Sequence, residues 1–186
     1  MEMMEKTLYT LIVHSENIAG VLNQVTAVFT RRQVNIESLN VSASSIQGIH
    51  RYTITAWSDK DTIEKIVSQI EKKVDVLQCR YFTDDEIFMQ EVALYKVVTS
   101  VLIDSPAMND IIRKYGAKLI EVNQTFSVIE KTGSTHDIMA LNEELTAQGG
   151  MLQFVSSGRI AITRARIEHV NEYLEKISSK YGIKNL

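Results

Sequence analysis

The stretch from Leu8 to Trp57 reads LYTLIVHSENIAGVLNQVTAVFTRRQVNIESLNVSASSIQGIHRYTITAW. Residues 8–14 place alternate side chains on opposite faces, a period of two that predicts a strand. Residues 19–32 carry apolar side chains at helical spacing and predict a helix with one apolar stripe. Residues 36–43 and 49–57 alternate again around a polar turn, which predicts a β-hairpin. The stretch therefore predicts the order strand, helix, strand, strand.

The next residues complete a domain. Residues 58–61, Ser-Asp-Lys-Asp, have the Ser-x-x-acid spacing of a helix start, and an apolar stripe follows them. Residues 74–81 predict a last strand. Right-handed crossovers in a β-α-β-β-α-β order put both helices on one face of a four-stranded sheet. We therefore expect a ferredoxin-like domain over residues 7–83.

The second half repeats this order. An acidic stretch, residues 84–86, is interpreted as a solvated linker, and a bound divalent ion is the alternative. Pro106 suits the first turn of a helix that Gly116 ends, and a second helix lies before Gly149. Strands are predicted at 92–98, 118–123, 126–130, 151–155 and 160–163. The class is thus α+β, with a second ferredoxin-like domain over 90–164 and a helical tail over 165–186.

Composition limits the kind of partner. The chain has 186 residues, 45% of them apolar, and a formal net charge of −3. It has no apolar run long enough for a membrane helix and no long basic block for nucleic acid, so we expect small molecules and proteins as partners. Residues 1–6 lack the features of a secretion signal, which leads us to expect a cytoplasmic protein. The single cysteine, Cys79, lies in a predicted strand and is interpreted as inert.

Catalysis has no recognisable position in this sequence. It contains no phosphate-binding loop, no nucleophile elbow and no paired-histidine metal motif. The histidines lack ligand spacing and are interpreted as exposed or capping residues. They are His14, His50, His136 and His169. We therefore expect neither a metal nor a cofactor on this chain.

The segment that follows the first strand, residues 15–22 (SENIAGVL), is the strongest candidate for a binding site. Gly20 can bring the backbone close to a ligand, and the free N–H groups at the helix start favour a carboxylate. Asn17 offers both a donor and an acceptor. An alternative of equal weight is that Asn17 is the N-cap and Gly20 a packing glycine.

Two motifs carry a family resemblance. Residues 16–22 (ENIAGVL), followed by 32–39 (RQVNIESL), closely resemble the ACT domain of acetolactate synthase small subunits. The Asn-Ile-Glu-Ser-Leu run at 35–39 narrows the choice from amino-acid sensors in general to this family. Residues 74–77 and 157–161 also resemble family patterns, so the resemblance extends from residue 8 to about 164.

The resemblance implies a regulatory subunit that binds valine or a related branched-chain amino acid. In the family, two ACT domains form a homodimer, and the ligand lies between the glycine loop of one chain and the second-strand region of the other. The residues that this implies as ligand-binding are Asn17, Ile18, Ala19, Gly20, Val21, Leu22, Asn35 and Ile36. Asn35 as a turn residue and Ile36 as a core residue are the alternatives. The implied partner is the catalytic large subunit, which would carry thiamine diphosphate, FAD and magnesium.

Three other functions stay open at this point. The chain could be an ACT-type sensor of another amino acid that acts on a metabolic or transcriptional partner. It could activate its partner without sensing any ligand. An enzyme in its own right is the third alternative, against which the lack of an acid/base pair or nucleophile arrangement argues.

Overall fold

The structure is a computed structural model that describes residues 6–165. These residues form two compact units. The first unit contains residues 6–88 together with 159–165, and the second contains residues 89–158. No helix within the described residues is long and apolar enough to cross a membrane.

The first unit has the predicted ferredoxin-like fold. Its elements are β1 (Thr7–Glu16), α1 (Val21–Arg31), β2 (Ser38–Ala43), β3 (Ile49–Ser58), α2 (Lys60–Glu71) and β4 (Val76–Phe82). The strands lie in the order β2-β3-β1-β4, and each neighbouring pair is antiparallel. The order of elements and the hairpin are therefore confirmed.

One face of this sheet and the two helices enclose the first core. The alternation in β1 buries Leu11 and Val13 against helical residues such as Phe29 and Ile66. Helix α2 begins one residue later than its Ser-x-x-acid pattern suggests. The N-cap is Asp59, whose side chain accepts from the Thr62 N–H at 2.8 Å, and this hydrogen bond lowers the pKa of Asp59.

The second unit repeats the topology with one addition. Its elements are β5 (Ile87–Val98), α3 (Thr99–Asp104), α4 (Pro106–Lys114), β6 (Lys118–Val122), β7 (Phe126–Gly133), α5 (Thr135–Ala147) and β8 (Met151–Ser156). The strand order β6-β7-β5-β8 matches that of the first sheet, which confirms the second ferredoxin-like fold. Helix α3 was not predicted, because six residues are too few to show a helical period. The predicted Pro106 start of α4 is confirmed, and Ser105 caps it.

The segment after β8 returns to the first unit. It contains strand β9 (Ile160–Thr163), and the Arg164 N–H donates to the Glu86 carbonyl at 3.0 Å. Arg159 is buried, and its guanidinium contacts the Asp84 carboxylate at 2.7 Å. Residues 84–86 are all exposed, as their interpretation as a solvated stretch predicted. They form a 3₁₀ turn with a capping box at Thr83, and one of their acids pairs with a buried arginine.

The predicted helical tail, residues 165–186, lies outside the described residues except for Ala165. The cysteine prediction can be compared with the structure. Cys79 is buried in β4, and burial raises the pKa of its thiol far above the usual range. Because the thiolate is the reactive form, this agrees with an inert strand cysteine.

Candidate functional site

The loop of residues 17–20 connects β1 to α1 and is held at both ends. The Asn17 N–H donates to the Gly48 carbonyl at 2.9 Å, which joins the loop to the β2–β3 turn. At the other end Val21 is 1% exposed and belongs to the first core, so it anchors the start of α1. Between these anchors Ile18 and Leu22 remain 50% and 40% exposed. The loop thus presents apolar side chains to solvent on a fixed backbone.

Gly20 is the N-cap of α1 and has a left-handed backbone, with φ +93° and ψ −13°. A Cβ built on it would meet no atom within 4 Å, so it is not a packing glycine. The left-handed conformation is what requires glycine here. The N-cap interpretation of Asn17 is also wrong, because Gly20 has that position and no side chain caps the helix. The exposed Asn17 amide is therefore not used to cap α1.

The start of α1 offers unused donors. The Gln24 N–H closes the first helical turn on the Gly20 carbonyl at 3.1 Å, and the Val21 N–H reaches the Ile18 carbonyl at 3.4 Å. Within residues 6–165, no backbone carbonyl and no side chain accepts from the N–H groups of Leu22 or Asn23. The first turn also contains no acidic residue. This geometry suits a small anion such as a carboxylate.

The other predicted segment, Asn35 and Ile36, precedes β2. The turn that follows α1 uses Gln33 as its left-handed residue, with φ 54°. Asn35 is therefore not the left-handed residue of that turn, and its side chain is exposed. Ile36 is half-buried and packs against the first core, as the core-residue alternative proposed. Part of its surface remains accessible.

One chain does not bring these two segments together. In the sheet, Glu16 pairs with Ile49, and Ser38 pairs with Thr55, six residues further along β3. At roughly 3.3 Å per residue these points lie about 20 Å apart. The glycine loop and Asn35 are therefore at opposite ends of the sheet, too far apart for one amino acid to contact both.

Strand β2 has an open edge in the described chain, since it pairs with β3 alone. The Ser44 N–H donates to the Ile49 carbonyl. Donors in an antiparallel ladder alternate between the two sides of a strand, so the Ser42 N–H also points to β3 and the Val41 N–H points outward. Val41 is 38% exposed. Such an edge can pair with the strand of a second chain.

Sequence reasoning missed the face of the first sheet that lies away from α1 and α2. Here Thr10, Ile12 and His14 are all less than 5% exposed. His14 is thus neither exposed nor capping, and burial together with the charge of Arg51 lowers its pKa to about 4. One feature of the sequence indicated that this face is buried. Ile12 and His14, which share it, lie in a strand whose other face is also apolar.

Metal ligands do not cluster in the part of the chain that the structure describes. Within residues 6–165, no group of three or more His, Cys, Asp or Glu side chains could hold a metal ion. The four histidines are dispersed: His14 is buried in β1, His50 is half-buried in β3, His136 is exposed in α5, and His169 lies outside the described residues.

Known proteins match this sequence over most of the chain. A family model described as the small subunit of acetolactate synthase matches residues 90–165, and one described as an AHAS small subunit-like ACT domain matches residues 11–78. The acetolactate synthase small subunit of Bacillus subtilis is 32% identical over 160 residues, which are 86% of this chain and 91% of that protein. The chain belongs to the acetolactate synthase small-subunit family.

Other members of this family resemble the chain to different extents. Acetolactate synthase small subunit 2, chloroplastic, from Arabidopsis thaliana is 30% identical over 156 residues, which are 84% of this chain but 32% of the plant protein. The crystal structure of the acetolactate synthase small subunit from Thermotoga maritima superposes with a TM-score of 0.76 at 26% identity, covering 86% of this chain and 99% of that chain. Small-subunit membership implies a regulatory chain with a separate catalytic large subunit.

Proposed function

We propose that this chain regulates an acetolactate synthase in branched-chain amino acid biosynthesis by binding valine, or a close relative of it, between two ACT domains. The observation that carries the proposal is the separation of the two predicted half-sites at opposite ends of one sheet. A ligand small enough to be an amino acid can contact both only when a second copy supplies one of them.

Pairing of two β2 edges supplies the required geometry. Around a twofold axis the start of one β2 lies beside the end of the other. The end of β2 leads into the turn at Gly48, whose carbonyl accepts the Asn17 N–H of the glycine loop. Asn35 and Ile36 of one chain therefore lie at the same end of the sheet as the glycine loop of the partner. The twofold axis produces two such sites in each dimer.

Each group in this site suits one part of the ligand. The N–H groups around Ala19, Gly20 and Leu22 would hold the carboxylate at the positive end of the α1 dipole. The exposed amides of Asn17 and Asn35 would position the remaining polar atoms.

The side chains around these donors would set the ligand's shape. Ile18, Leu22 and Ile36 have accessible apolar surface for a short branched side chain. Val21 contributes only its backbone, because its side chain is in the core.

A site shared by two chains makes binding and assembly depend on each other. The amino acid shifts the assembly by its differential affinity for the two states, and a coupling of about 1–3 kcal/mol changes activity or affinity by roughly 5–150-fold. The chain would activate the catalytic large subunit and impose feedback inhibition on it in the cytoplasm. The thiamine diphosphate, FAD and magnesium of the reaction would belong to that partner.

Calorimetric titration of valine into the purified chain tests the proposal, with lysine as the ligand control. We expect saturable binding near one valine per chain and its loss in Gly20→Asp, which places a carboxylate where the ligand's carboxylate binds. Gly116→Asp is the matched control, since Gly116 also has a positive φ and open space around it but lies in the second unit.

The outcomes separate the open alternatives. Equal loss in both glycine variants would mean that strain rather than the site explains the result. Tight binding of an amino acid outside the branched-chain group would favour the sensor of another pathway. If no amino acid binds while the catalytic subunit is still activated, the chain is an activator that senses nothing.

A further inference from the structure

The sheet face away from α1 and α2 contains a cavity that the proposed function does not use. Strand β9 lies against this face, where the Asn40 amide donates to the Arg159 carbonyl at 2.8 Å and the Arg51 guanidinium donates to the Ala161 carbonyl at 2.5 Å. The cavity, of about 220 Å³, lies over the neighbouring pair β1 and β4. Its lining residues all belong to the first unit.

The lining combines an apolar part with a few polar groups. Ile12 lies opposite Arg80 in the ladder, and His14 lies opposite Gln78, so these four side chains share one face of adjacent strands. Phe82 extends the apolar part along β4. Among the described residues, Glu86, Thr163 and Ala165 complete the lining. An apolar cavity with few, converging polar groups is the usual form of a small-molecule site.

Arg80 is the positively charged group in this lining. It is exposed, and no acceptor in residues 6–165 takes a hydrogen bond or an ion pair from it. The Glu86 carboxylate accepts from the Thr83 N–H at 2.9 Å and from the Thr83 hydroxyl at 3.1 Å. His14 adds no charge at neutral pH because its pKa is about 4. The cavity thus presents the Arg80 guanidinium and a Glu86 carboxylate held by Thr83, beside apolar surface.

We propose that this cavity is a second small-molecule site, which binds an aliphatic carboxylate of about six to eight non-hydrogen atoms. Its volume equals that of about seven waters, at roughly 30 Å³ each. The guanidinium of Arg80 pairs with the carboxylate, and Ile12 and Phe82 contact the aliphatic part. Since Thr163 and Ala165 complete the wall, the ligand also stabilises the contact of the β9 segment with the first unit.

Titration of ¹⁵N-labelled full-length chain with 2-methylpropanoate, followed by NMR, tests this site. We expect saturable shifts at the backbone amides of Ile12, His14, Gln78 and Arg80. Arg80→Gln should weaken binding by at least about tenfold, because it removes a charge-assisted pair. Arg31→Gln is the matched control. It removes one exposed arginine from the end of α1, away from the cavity, and should leave binding unchanged.

Gly20→Asp separates this site from the one at the glycine loop. In that variant 2-methylpropanoate should still shift the cavity amides with unchanged affinity, whether or not the glycine loop binds valine in the wild type. A valine titration of Gly20→Asp then distinguishes two sources of the carboxylate. Shifts with valine as well identify amino acids as ligands, and shifts with 2-methylpropanoate alone identify carboxylates that lack an ammonium group.

Three results would overturn the proposal. The first is the lack of saturable shifts at the cavity amides with either ligand. The second is an affinity that Arg80→Gln and Arg31→Gln leave equally unchanged. The third is a set of shifts confined to residues 17–22, which would place all binding at the glycine loop.

Discussion

At the scale of single residues, Gly20 and Val21 have separate roles at the start of α1. Gly20 allows a left-handed turn that leaves the next N–H groups pointing outward, while Val21 holds the helix to the core. A β-branched residue at φ +93° would be strained by about 1–2 kcal/mol. The site therefore needs both a flexible residue and a buried one, side by side in the chain.

His14 makes stability depend on pH. Its pKa is about 4 in the folded chain and about 6.5 when unfolded, so the unfolded state binds more protons between these values. Stability must therefore fall as pH falls from about 6.5 to about 4, by up to about 3 kcal/mol from this residue. Urea unfolding at several pH values should show this loss in the wild type and a smaller one in His14→Gln.

His136→Gln is the control for this experiment, because it removes a histidine whose side chain is exposed in α5. Its pH dependence should match that of the wild type. If His14→Gln and His136→Gln gave the same curve as the wild type, His14 would not be buried in its neutral form.

At the scale of elements, the proposed amino-acid site depends on the open edge of β2. The Val41 N–H points away from β3, so it is available to a second chain and its removal leaves the ladder within the sheet intact. Strand β4 forms the opposite edge and pairs with β1 alone among the described strands. The hydrogen bond from Asn17 to Gly48 joins the glycine loop to the turn at the end of β2.

Val41→Pro should weaken the dimer by at least about tenfold and reduce valine binding in parallel, because proline cannot donate to the partner strand. Val41→Ala keeps the N–H and is the matched control. Sedimentation equilibrium and calorimetry at equal concentration measure the two effects. Valine binding that survives in a monomeric Val41→Pro variant would exclude a site shared between chains.

At the scale of the whole molecule, two separate cores support two units. The core between the first sheet and its helices shares no residue with the core formed by β5, β7, α4 and α5. Each core repeats the same arrangement of two helices on one sheet face. The segment from Arg159 to Ala165 nevertheless belongs with the first unit, although it follows the second in sequence.

The separate cores predict separate losses of stability. Leu141→Ala removes a fully buried side chain of the second core and should cost about 2–5 kcal/mol there. Ile66→Ala is the matched change in the first core. Hydrogen exchange should show reduced protection in residues 89–158 for the former and in the first unit for the latter. An equal loss of protection across both units in either variant would show that the cores unfold as one.

The sequence alone determined the fold of both units and the order of their elements, apart from helix α3. Apolar residues that recur every two residues in strands, or every 3.6 residues in helices, indicate which side chains pack into a core. The glycine loop and the Asn-Ile-Glu-Ser-Leu run identify the family. Local signals such as Pro106 are equally direct, because they act within one turn of the chain. The free N–H groups at the start of α1 are also a local feature, because they lie within one turn of the chain.

Only the tertiary structure decided which distant residues meet. The opposite positions of Asn17 and Asn35 follow from strand register, and the return of Arg159 to Asp84 joins residues 75 positions apart. The cavity beside Arg80 is lined in part by Thr163 and Ala165, which follow the second unit in the chain. The spacing of apolar residues within one helix or strand does not predict such contacts, because they arise from packing between different elements.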